Sequence, residues 1–268
     1  MNDIEFERIN RYIHTRYGID LSGKKEIVDG RLTNMLRHRE FRSYMEYMDA
    51  VEKDTSGNLE KELVNLLTTN HTYFMREFEH LEFLKAKILP YLKEKERLSK
   101  DLRIWCGASS SGEEPYMIAM TVLDFFGLEK DAWDTQILAT DIDTKVLQLA
   151  IKGEYSKEAV AGLPENWKRR YFTTKDGETY QVSQELKKEV LFRQFNLMEP
   201  FPFRRKMHVI FLRNVMIYFN QETRLELVKK IYDFLEPGGY FIVGKTETID
   251  RGQVPFEIVM PSVFRKSL

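Results

Sequence analysis

The sequence predicts an α/β protein in which an open, doubly wound, mainly parallel sheet follows a small all-helical domain. Up to about residue 92, apolar residues recur at helical spacing. After Lys100, short runs of β-forming residues alternate with helical segments, as is typical of buried parallel strands joined by crossover helices. Between residues 171 and 196 this alternation is interrupted, and Asp176-Gly177 predicts the turn of an inserted antiparallel hairpin.

Length and composition agree with two domains. The chain has 268 residues, against roughly 150 for a typical domain, and its 43% hydrophobic residues suffice for a core. Disordered and fibrous classes are therefore excluded. The 41 Lys and Arg residues nearly balance the 42 Asp and Glu residues, so no overall positive field would draw the protein to nucleic acid.

The expected location is the cytoplasm. A single cysteine, Cys106, excludes an internal disulfide framework and fits a reducing compartment. The first residues, Met1 to Glu5, are acidic where a secretory signal would be basic and then apolar. The apolar runs also stop at charges such as Asp124, so we expect a soluble protein without direct membrane insertion.

The front domain, residues 1–75, is predicted to contain short amphipathic helices. Their apolar positions lie within residues 6–17, 28–36, 41–48 and 59–67. Ser22 is the candidate N-cap of the second helix. A fifth helix is predicted from about Glu77, kinked or ended by Pro90, and residues 76–100 form the connection to the next domain.

The second domain, residues 101–268, is predicted to alternate strands with helices. The predicted strands are Arg103 to Cys106, Gln136 to Ala139, Val209 to Leu212 and Tyr240 to Val243, and the predicted helices are Glu113 to Phe126, Thr144 to Ile151 and Gln221 to Leu235. In such sheets ligands bind beyond the carboxyl ends of the strands, so the loops at those ends are the candidates for a site.

The loop after the first predicted strand, residues 107–115, favours a ligand that is cationic or lacks phosphate. Its small residues let a ligand approach the backbone, and Glu113 and Glu114 suit a helix start. The loop contains neither G-x-G-x-x-G nor Gly-Lys-Ser/Thr, and two adjacent carboxylates would repel a pyrophosphate. An ordinary strand-to-helix turn capped by acids is the alternative interpretation.

Asp141, at the end of the second predicted strand, is the candidate ribose ligand. A carboxylate there can accept hydrogen bonds from both ribose hydroxyls, each worth roughly 1.5–3 kcal/mol. Asp143 is better placed to cap the following helix, and the alternative for Asp141 is a second capping or turn acid. S-adenosylmethionine satisfies these constraints together, since it joins an adenosine to a sulfonium cation and carries no phosphate.

Several segments also match, in chain order, the motifs of one enzyme family. They are Asn70 to Glu77, similar to T-N-x-T-x-F-F-R-E; Arg103 to Tyr116, similar to a first methyltransferase motif; Ala139 to Asp143, similar to a ribose-binding strand end; Phe211 to Phe219, similar to a fourth-strand motif; and Leu235 to Gly239 with Gly244 to Glu247, similar to a closing turn and strand. Together they resemble the chemotaxis receptor methyltransferases, the CheR family, over nearly the whole chain.

The resemblance implies a class I methyltransferase fold and a protein-glutamate O-methyltransferase activity. Such an enzyme moves a methyl group from S-adenosylmethionine to glutamate side chains in the cytoplasmic domains of chemoreceptors, leaving S-adenosylhomocysteine. Glutamate, with a pKa of about 4.3, is already an anion at neutral pH and needs no general base. Alignment of the reactants can supply on the order of 7–11 kcal/mol.

Site residues follow from the resemblance, position by position. The expected cofactor contacts are Asn70, Thr72, Arg76, Glu113, Glu114, Asp141, Asn196, Leu197, Arg213 and Asn214, and the expected catalytic residues are Arg76, Arg213 and Tyr218, with no metal. Arg213, through its forked donors, and Tyr218, through its hydroxyl, would orient the substrate carboxylate. The alternatives are a solvated surface role for Arg76, core packing for Tyr218 and a turn role for Asn196.

Three features depart from the family pattern. Met75 stands where a second Phe is usual, and Lys245-Thr246 replace the commoner His-Ser. The hairpin at Asp176-Gly177 is shorter than in members that bind the C-terminal pentapeptide of a receptor, which leaves the use of such a tether open.

The expected partners are chemoreceptors, bound by a monomeric enzyme. Between residues 22 and 42, basic residues outnumber acidic ones, and a basic helical face there could steer the enzyme to an acidic receptor bundle. The basic residues are Lys24, Lys25, Arg31, Arg37, Arg39 and Arg42. A solvated face without a partner is the alternative.

Two other functions compete with receptor methylation. The first is a methyltransferase acting on nucleic acid or a small molecule, but residues 196–200 lack the Asn/Asp-Pro-Pro-aromatic motif common in amino-methylating enzymes. The second is a non-catalytic module that binds the cofactor or a receptor. Such a module would need a disrupted site, whereas Arg76, Asp141, Arg213 and Tyr218 are all present.

Overall fold

The front of the chain forms the predicted helical domain. A computed structural model describes residues 1–250 and 252–268. The first helices are α1 (Asp3–Tyr17), α2 (Lys25–His38), α3 (Tyr44–Lys53) and α4 (Asn58–Leu67), which share one apolar core around Ile9, Ile13, Leu32 and Leu63. The prediction that Ser22 caps α2 is wrong. The N-cap is Lys24, and the Ser22 N–H instead donates to Asp20 Oδ1 at 2.9 Å within the preceding turn.

The connecting helix is continuous past its proline. It consists of α5 (Glu79–Phe83), a π-helical turn (Leu84–Ile88) and α6 (Leu89–Lys95). Proline has no N–H and crowds the carbonyl four residues before it, and a wider π turn relieves both problems. Pro90 therefore does not end the helix, and the irregularity expected there lies in the turn just before it.

The remaining elements alternate as predicted. In chain order the strands are β1 (Ile104–Gly107), β2 (Ile137–Asp141), β3 (Glu154–Ser156), β4 (Phe172–Thr174), β5 (Thr179–Val182), β6 (Val190–Gln194), β7 (Met207–Leu212), β8 (Leu235–Val243), β9 (Phe256–Met260) and β10 (Val263–Lys266). The helices are α7 (Glu113–Phe126), α8 (Thr144–Lys152), α9 (Lys157–Val160), α10 (Glu165–Tyr171), α11 (Gln184–Lys188) and α12 (Gln221–Phe234), with 3₁₀ turns at Gly127–Ala132 and Met216–Tyr218.

The main sheet has seven strands in the order β6-β2-β1-β7-β8-β10-β9. The neighbours from β6 to β8 are parallel, whereas β10 runs antiparallel to β8 and β9. Successive strand residues enter different cores: Cys106 and Phe211 pack with α7, while Trp105 and Ile210 pack with α12. Helices therefore cover both faces, which confirms the doubly wound α/β prediction.

The insert differs in extent from the predicted 171–196. Strands β4 and β5 form the hairpin around Asp176-Gly177, but β3 adds a third antiparallel strand in the order β3-β5-β4. Strand β6 belongs to the main sheet, parallel to β2. The alternating apolar residues Val190 and Phe192 indicate a half-buried strand, but they do not say which neighbour it pairs with.

Within the described ranges, no helix combines the length and apolar character needed to cross a membrane.

Candidate functional site

A cleft lies where the front domain meets the carboxyl ends of β1, β2 and β7. Its lining comes from the loops after β1, β2, β6 and β7 and from the segment 67–76 that joins the two domains. The predicted site residues among its lining are Asn70, Thr72, Arg76, Glu114, Asp141, Asn196, Leu197, Arg213, Asn214 and Tyr218. The fold thus brings together residues that are up to 148 positions apart, since Asn70 and Tyr218 both line the cleft.

Glu113 lies outside this lining. Its carboxylate accepts a hydrogen bond from Ser111 Oγ at 2.7 Å, and burial raises its pKa. Glu113 and Glu114 are adjacent residues at the start of α7, so their side chains leave the helix in different directions. Of these two acids, Glu114 lines the cleft and Glu113 does not.

The loop after β1 has a strained backbone and an unused hydroxyl. Ala108 (φ 55°) and Ser110 (φ 49°) adopt the left-handed conformation that L-residues rarely take. The Oγ atom of Ser109 is buried and makes no hydrogen bond to any residue in the described part of the chain. A buried hydroxyl without a partner is costly, so this atom is available to a bound ligand.

Asp141 organises the loops around it. One carboxylate oxygen accepts from the Ser110 N–H at 2.8 Å and the other from the Asp143 N–H at 2.9 Å. Burial raises the pKa of Asp141 to about 6, although these backbone donors oppose the shift. Its contact with a ribose stays a prediction, and its turn-stabilising contacts are present in the structure.

Asp143 caps α8 and ties the two domains together. Its Oδ1 atom accepts from the N–H groups of Lys145 and Val146 at 2.8 and 3.3 Å. Its Oδ2 atom accepts from Asn70 Nδ2 at 2.6 Å and from Thr68 Oγ1 at 3.1 Å. Asn70 is therefore anchored to the end of β2, at the edge of the cleft.

Arg213 lies in a buried ion-pair cluster under the cleft. Its Nη1 atom donates to Glu114, while Nη2 donates to the Arg76 carbonyl at 2.8 Å and to Glu77 Oε2 at 3.1 Å. Burial alone would lower the pKa of Arg213, but the charges and hydrogen bonds of Glu114 and Glu77 outweigh burial and raise it. Both terminal nitrogens are thus held by the protein itself, which differs from the expectation that the fork orients the substrate. The Nε atom is buried without a partner among the described residues.

Glu77 received no role from the sequence, although it ends the first matching motif. Its carboxylate accepts from Arg213, from Asn214 Nδ2 at 3.4 Å and from the Lys245 N–H at 3.2 Å. Burial acts to raise its pKa, but Arg213 and these donors together lower it. Glu77 therefore stays ionised at neutral pH and joins three segments at the cleft.

Glu247 is a second residue whose role the sequence did not show. Its buried carboxylate accepts from the N–H groups of Asn214, Met216 and Gly244 at 2.8, 2.7 and 2.7 Å. It thereby holds Asn214 in a left-handed conformation (φ 59°) and joins the loops after β7 and β8. The Gly244 to Glu247 motif was the available signal, since a buried acid beside a glycine favours a backbone-binding role.

Arg76 and Tyr218 lie at the open side of the cleft. Both are partly exposed. Arg76 Nη1 donates to the His71 carbonyl at 2.7 Å, and the Tyr218 hydroxyl lies 3.5 Å from the Thr69 carbonyl. Lys24 Nζ lies 5.3 Å from the centre of the Tyr218 ring. Within the described ranges Arg76 is in no ion pair, and the only hydrogen bond of the Tyr218 hydroxyl is this long one.

Asn196 and Leu197 also line the cleft. Asn196 Nδ2 donates to the Arg16 carbonyl at 2.8 Å, and its Oδ1 atom accepts from the Met198 N–H at 3.0 Å. Leu197 is 9% exposed and packs with the core beneath α12. Among the described residues, no cluster of His, Cys, Asp and Glu has the arrangement of a metal site.

Comparison with known proteins agrees with this two-domain arrangement. Residues 4–68 match the family described as CheR methyltransferase, all-alpha domain, and residues 70–264 match CheR methyltransferase, SAM binding domain. A chemotaxis protein methyltransferase of Borreliella burgdorferi is 40% identical over 98% of this chain and 94% of its own length. A chemotaxis protein methyltransferase of Escherichia coli is 34% identical, covering 100% of this chain and 92% of its own. The chemotaxis protein methyltransferase 2 of Vibrio cholerae is 33% identical, with the same two coverages.

Proposed function

This chain belongs to the CheR methyltransferase family, and from that premise we propose that it methylates glutamate side chains of chemoreceptors. The methyl donor is S-adenosylmethionine, and the products are glutamate methyl esters and S-adenosylhomocysteine. The observation that carries the proposal is the cleft between the two matched domains. It brings together Glu114, at the start of the helix that follows β1, Asp141, at the end of β2, and Arg213, directly after β7.

The residues of the cleft suit this donor. Ser109 and Arg213 line the cleft, and their buried Oγ and Nε atoms have no partners in the described chain, so they suit an amino-acid moiety that needs polar contacts. The apolar side chains of Ile142 and Leu197 also line the cleft, which suits an adenine ring. When bound, S-adenosylmethionine supplies a methyl group attached to a positively charged sulfur.

We assign the binding contacts accordingly. Asn70, Thr72, Arg76 and Glu114 hold the amino-acid end, Asp141 the ribose, and Asn196 with Leu197 the adenine. The strained Ala108 and Ser110 bring their backbone close to the cleft, as a loop that contacts a ligand directly requires.

The protein's own contribution to the transfer is alignment. The substrate glutamate arrives as an anion, so no group in the cleft has to remove a proton. Arg76 and Tyr218 have donors at the open side of the cleft and orient the incoming carboxylate. Holding the reacting atoms about 3–3.5 Å apart can supply on the order of 7–11 kcal/mol.

The receptor is expected to approach across α2. Of the predicted basic face, Lys25 pairs with Asp3, Arg39 pairs with Glu62, and Arg31 donates to the carbonyls of residues 66–68. Arg37 and Arg42 are exposed and make no side-chain ion pair with the residues described. Lys24 lies beside Tyr218, which lines the cleft. Of the predicted basic face, Arg37 and Arg42 therefore remain as the residues that could attract the receptor.

Labelled donor tests the function directly. The protein is incubated with tritiated S-adenosylmethionine and chemoreceptor-containing membranes, and base-labile methyl counts are measured on the receptor bands. We expect counts on the receptors and none on added RNA or DNA. Label on nucleic acid would favour the alternative of a nucleic-acid methyltransferase. Binding of S-adenosylhomocysteine without any methyl transfer would favour the non-catalytic module.

A further inference from the structure

A buried line of polar side chains runs from the cleft to the turn before β10. It comprises Glu77, His80 and Ser262, and His80 is fully buried. His80 Nε2 lies 2.8 Å from Ser262 Oγ. His80 Nδ1 lies 3.6 Å from Glu77 Oε2 and has no hydrogen-bond partner in the described chain. The imidazole therefore joins Glu77 to a part of the sheet that is distant in sequence.

The surroundings of His80 select one tautomer. Burial lowers the pKa of His80 to about 4, so the ring is neutral at physiological pH and carries one proton. With that proton on Nε2, the Nδ1 lone pair would face the Glu77 carboxylate in a buried site, which is repulsive. With the proton on Nδ1, the ring points a positive N–H at Glu77, and Nε2 accepts from the Ser262 hydroxyl. The Ser262 hydroxyl lies 2.6 Å from the Pro261 carbonyl, and in this tautomer it turns from that acceptor and donates to His80 Nε2 instead.

The position of the Glu77 carboxylate affects both sides of the cleft. It accepts from Arg213 at 3.1 Å, and Arg213 in turn contacts Glu114. It also accepts from the Lys245 N–H at 3.2 Å, in the loop after β8. Glu77 itself has a left-handed backbone (φ 49°), which the protein maintains only because surrounding contacts hold it.

We propose that Glu77 is a positioning residue for methyl transfer and that His80 helps to hold its carboxylate through the electrostatic attraction of Nδ1–H across 3.6 Å. Glu77 acts through Arg213 and the Lys245 backbone and touches neither substrate in this assignment. The inference rests on the proposed function, because it names how the Arg213–Glu114 pair is kept in place for the donor.

The first test replaces Glu77→Gln in the full-length protein. Glutamine keeps the size and one acceptor but loses the charge that faces Arg213 and His80. We expect the methylation rate to fall on the order of 10- to 100-fold, because small displacements at a site of this kind have effects of that size. The Kd for S-adenosylhomocysteine, measured by calorimetry, is expected to rise as well. Glu82→Gln, an exposed acid in the helix α5 that follows Glu77, is the control and is expected to leave both values unchanged.

The second test compares His80→Asn with His80→Gln. The asparagine amide lies near the Nδ1 position and can donate to Glu77, whereas the glutamine amide lies near the Nε2 position and reaches Ser262. Both remove the ring, so both lower Tm. We expect the asparagine variant to be about tenfold more active, a difference that general loss of packing does not predict.

The outcomes separate this inference from the proposed function. If the wild type binds S-adenosylhomocysteine but methylates no receptor, the function fails, and the calorimetric Kd of the Glu77 variant still tests the positioning role. A Glu77→Gln protein with wild-type Kd and wild-type rate overturns the inference. A His80→Gln protein as active as His80→Asn overturns the assigned role of Nδ1.

Discussion

Two side chains of the cleft bind other groups of the protein, whereas the sequence analysis predicted contacts with the cofactor or the substrate. The Arg213 fork binds Glu114 and Glu77, and Asp141 accepts two backbone N–H groups. Burial explains both cases, since a charged group removed from water needs partners inside the protein. The hydroxyl of Tyr218 makes a single long contact to a carbonyl, and we propose that it binds the substrate.

Tyr218→Phe tests that hydroxyl. Phenylalanine keeps the ring that packs beside Lys24 and removes only the donor. We expect kcat to fall on the order of 10- to 100-fold, while the Kd for S-adenosylhomocysteine stays within about twofold. Steady-state methylation and calorimetry give the two values, with Tyr180→Phe in β5 as the control. An unchanged kcat would remove Tyr218 from the catalytic assignment.

His208 predicts a pH effect on stability. It is fully buried, and burial together with the charge of Arg103 lowers its pKa to about 4. Between pH of about 6.5 and 4, the unfolded chain binds a proton at this residue and the folded protein does not, so the free energy of unfolding falls as pH falls. In His208→Asn, whose amide oxygen can still accept from the Arg103 N–H, this contribution is absent.

The measurement compares the pH dependence of Tm in the wild type and in His208→Asn. We expect the fall in Tm from pH 7 to pH 5 to be larger in the wild type than in His208→Asn, by on the order of a few °C. Burial raises the pKa of Glu113, Asp141 and Glu247, which gives the opposite pH slope, but these groups are present in both proteins and cancel. The same fall in both proteins would contradict the prediction.

Elements were predicted well where one local pattern was enough. The helix Glu113–Phe126 begins and ends where its acids and apolar spacing place it. The connecting helix was harder, because its π turn depends on how the chain accommodates Pro90 while burying Leu84 and Ile88. Strand β6 was placed in the insert, since strand pairing depends on distant partners.

Two glycines test how tightly the elements pack. A Cβ at Gly244 would overlap Asn214 Nδ2 and lie 2.9 Å from Glu247 Oε2, whereas one at Gly30, in α2, would meet nothing within 4 Å. We expect Gly244→Ala to destabilise the protein by about 1–3 kcal/mol. Gly30→Ala should stabilise it by about 0.5–1 kcal/mol, because alanine loses less entropy in a helix. Chemical denaturation gives both values, and a Gly244→Ala protein as stable as the wild type would contradict the packing described for Gly244.

At the scale of the whole molecule, function depends on the contact between two domains. The segment 67–76 completes the cleft, and Asn70 and Asp143 hold it against the sheet. The net charge of −1 gives no overall steering field, so attraction to an acidic receptor must come from a local surface. Arg37 and Arg42 are the exposed charges that we propose for that contact.

Charge reversal at Arg37 and Arg42 tests the receptor approach. We expect the double variant to bind receptor membranes roughly tenfold more weakly at low salt, with a smaller difference at about 0.5 M salt, where charges are screened. Lys87→Glu, an exposed change on the connecting helix, is the control. The Kd for S-adenosylhomocysteine should be unchanged in all variants. Receptor affinity equal to wild type would leave this surface without the proposed role.

The sequence by itself determined the two-domain order, the alternation of strands and helices, and ten of the residues that line the cleft. These are local properties: apolar spacing, turn residues and short motifs at strand ends. Only the tertiary structure decided the partner of each side chain. Glu77, Glu247 and His80 contact groups up to 182 positions away, and no local pattern encodes these long-range contacts. Burial strengthens each contact, because a charged or polar group inside the protein is costly to leave without a partner.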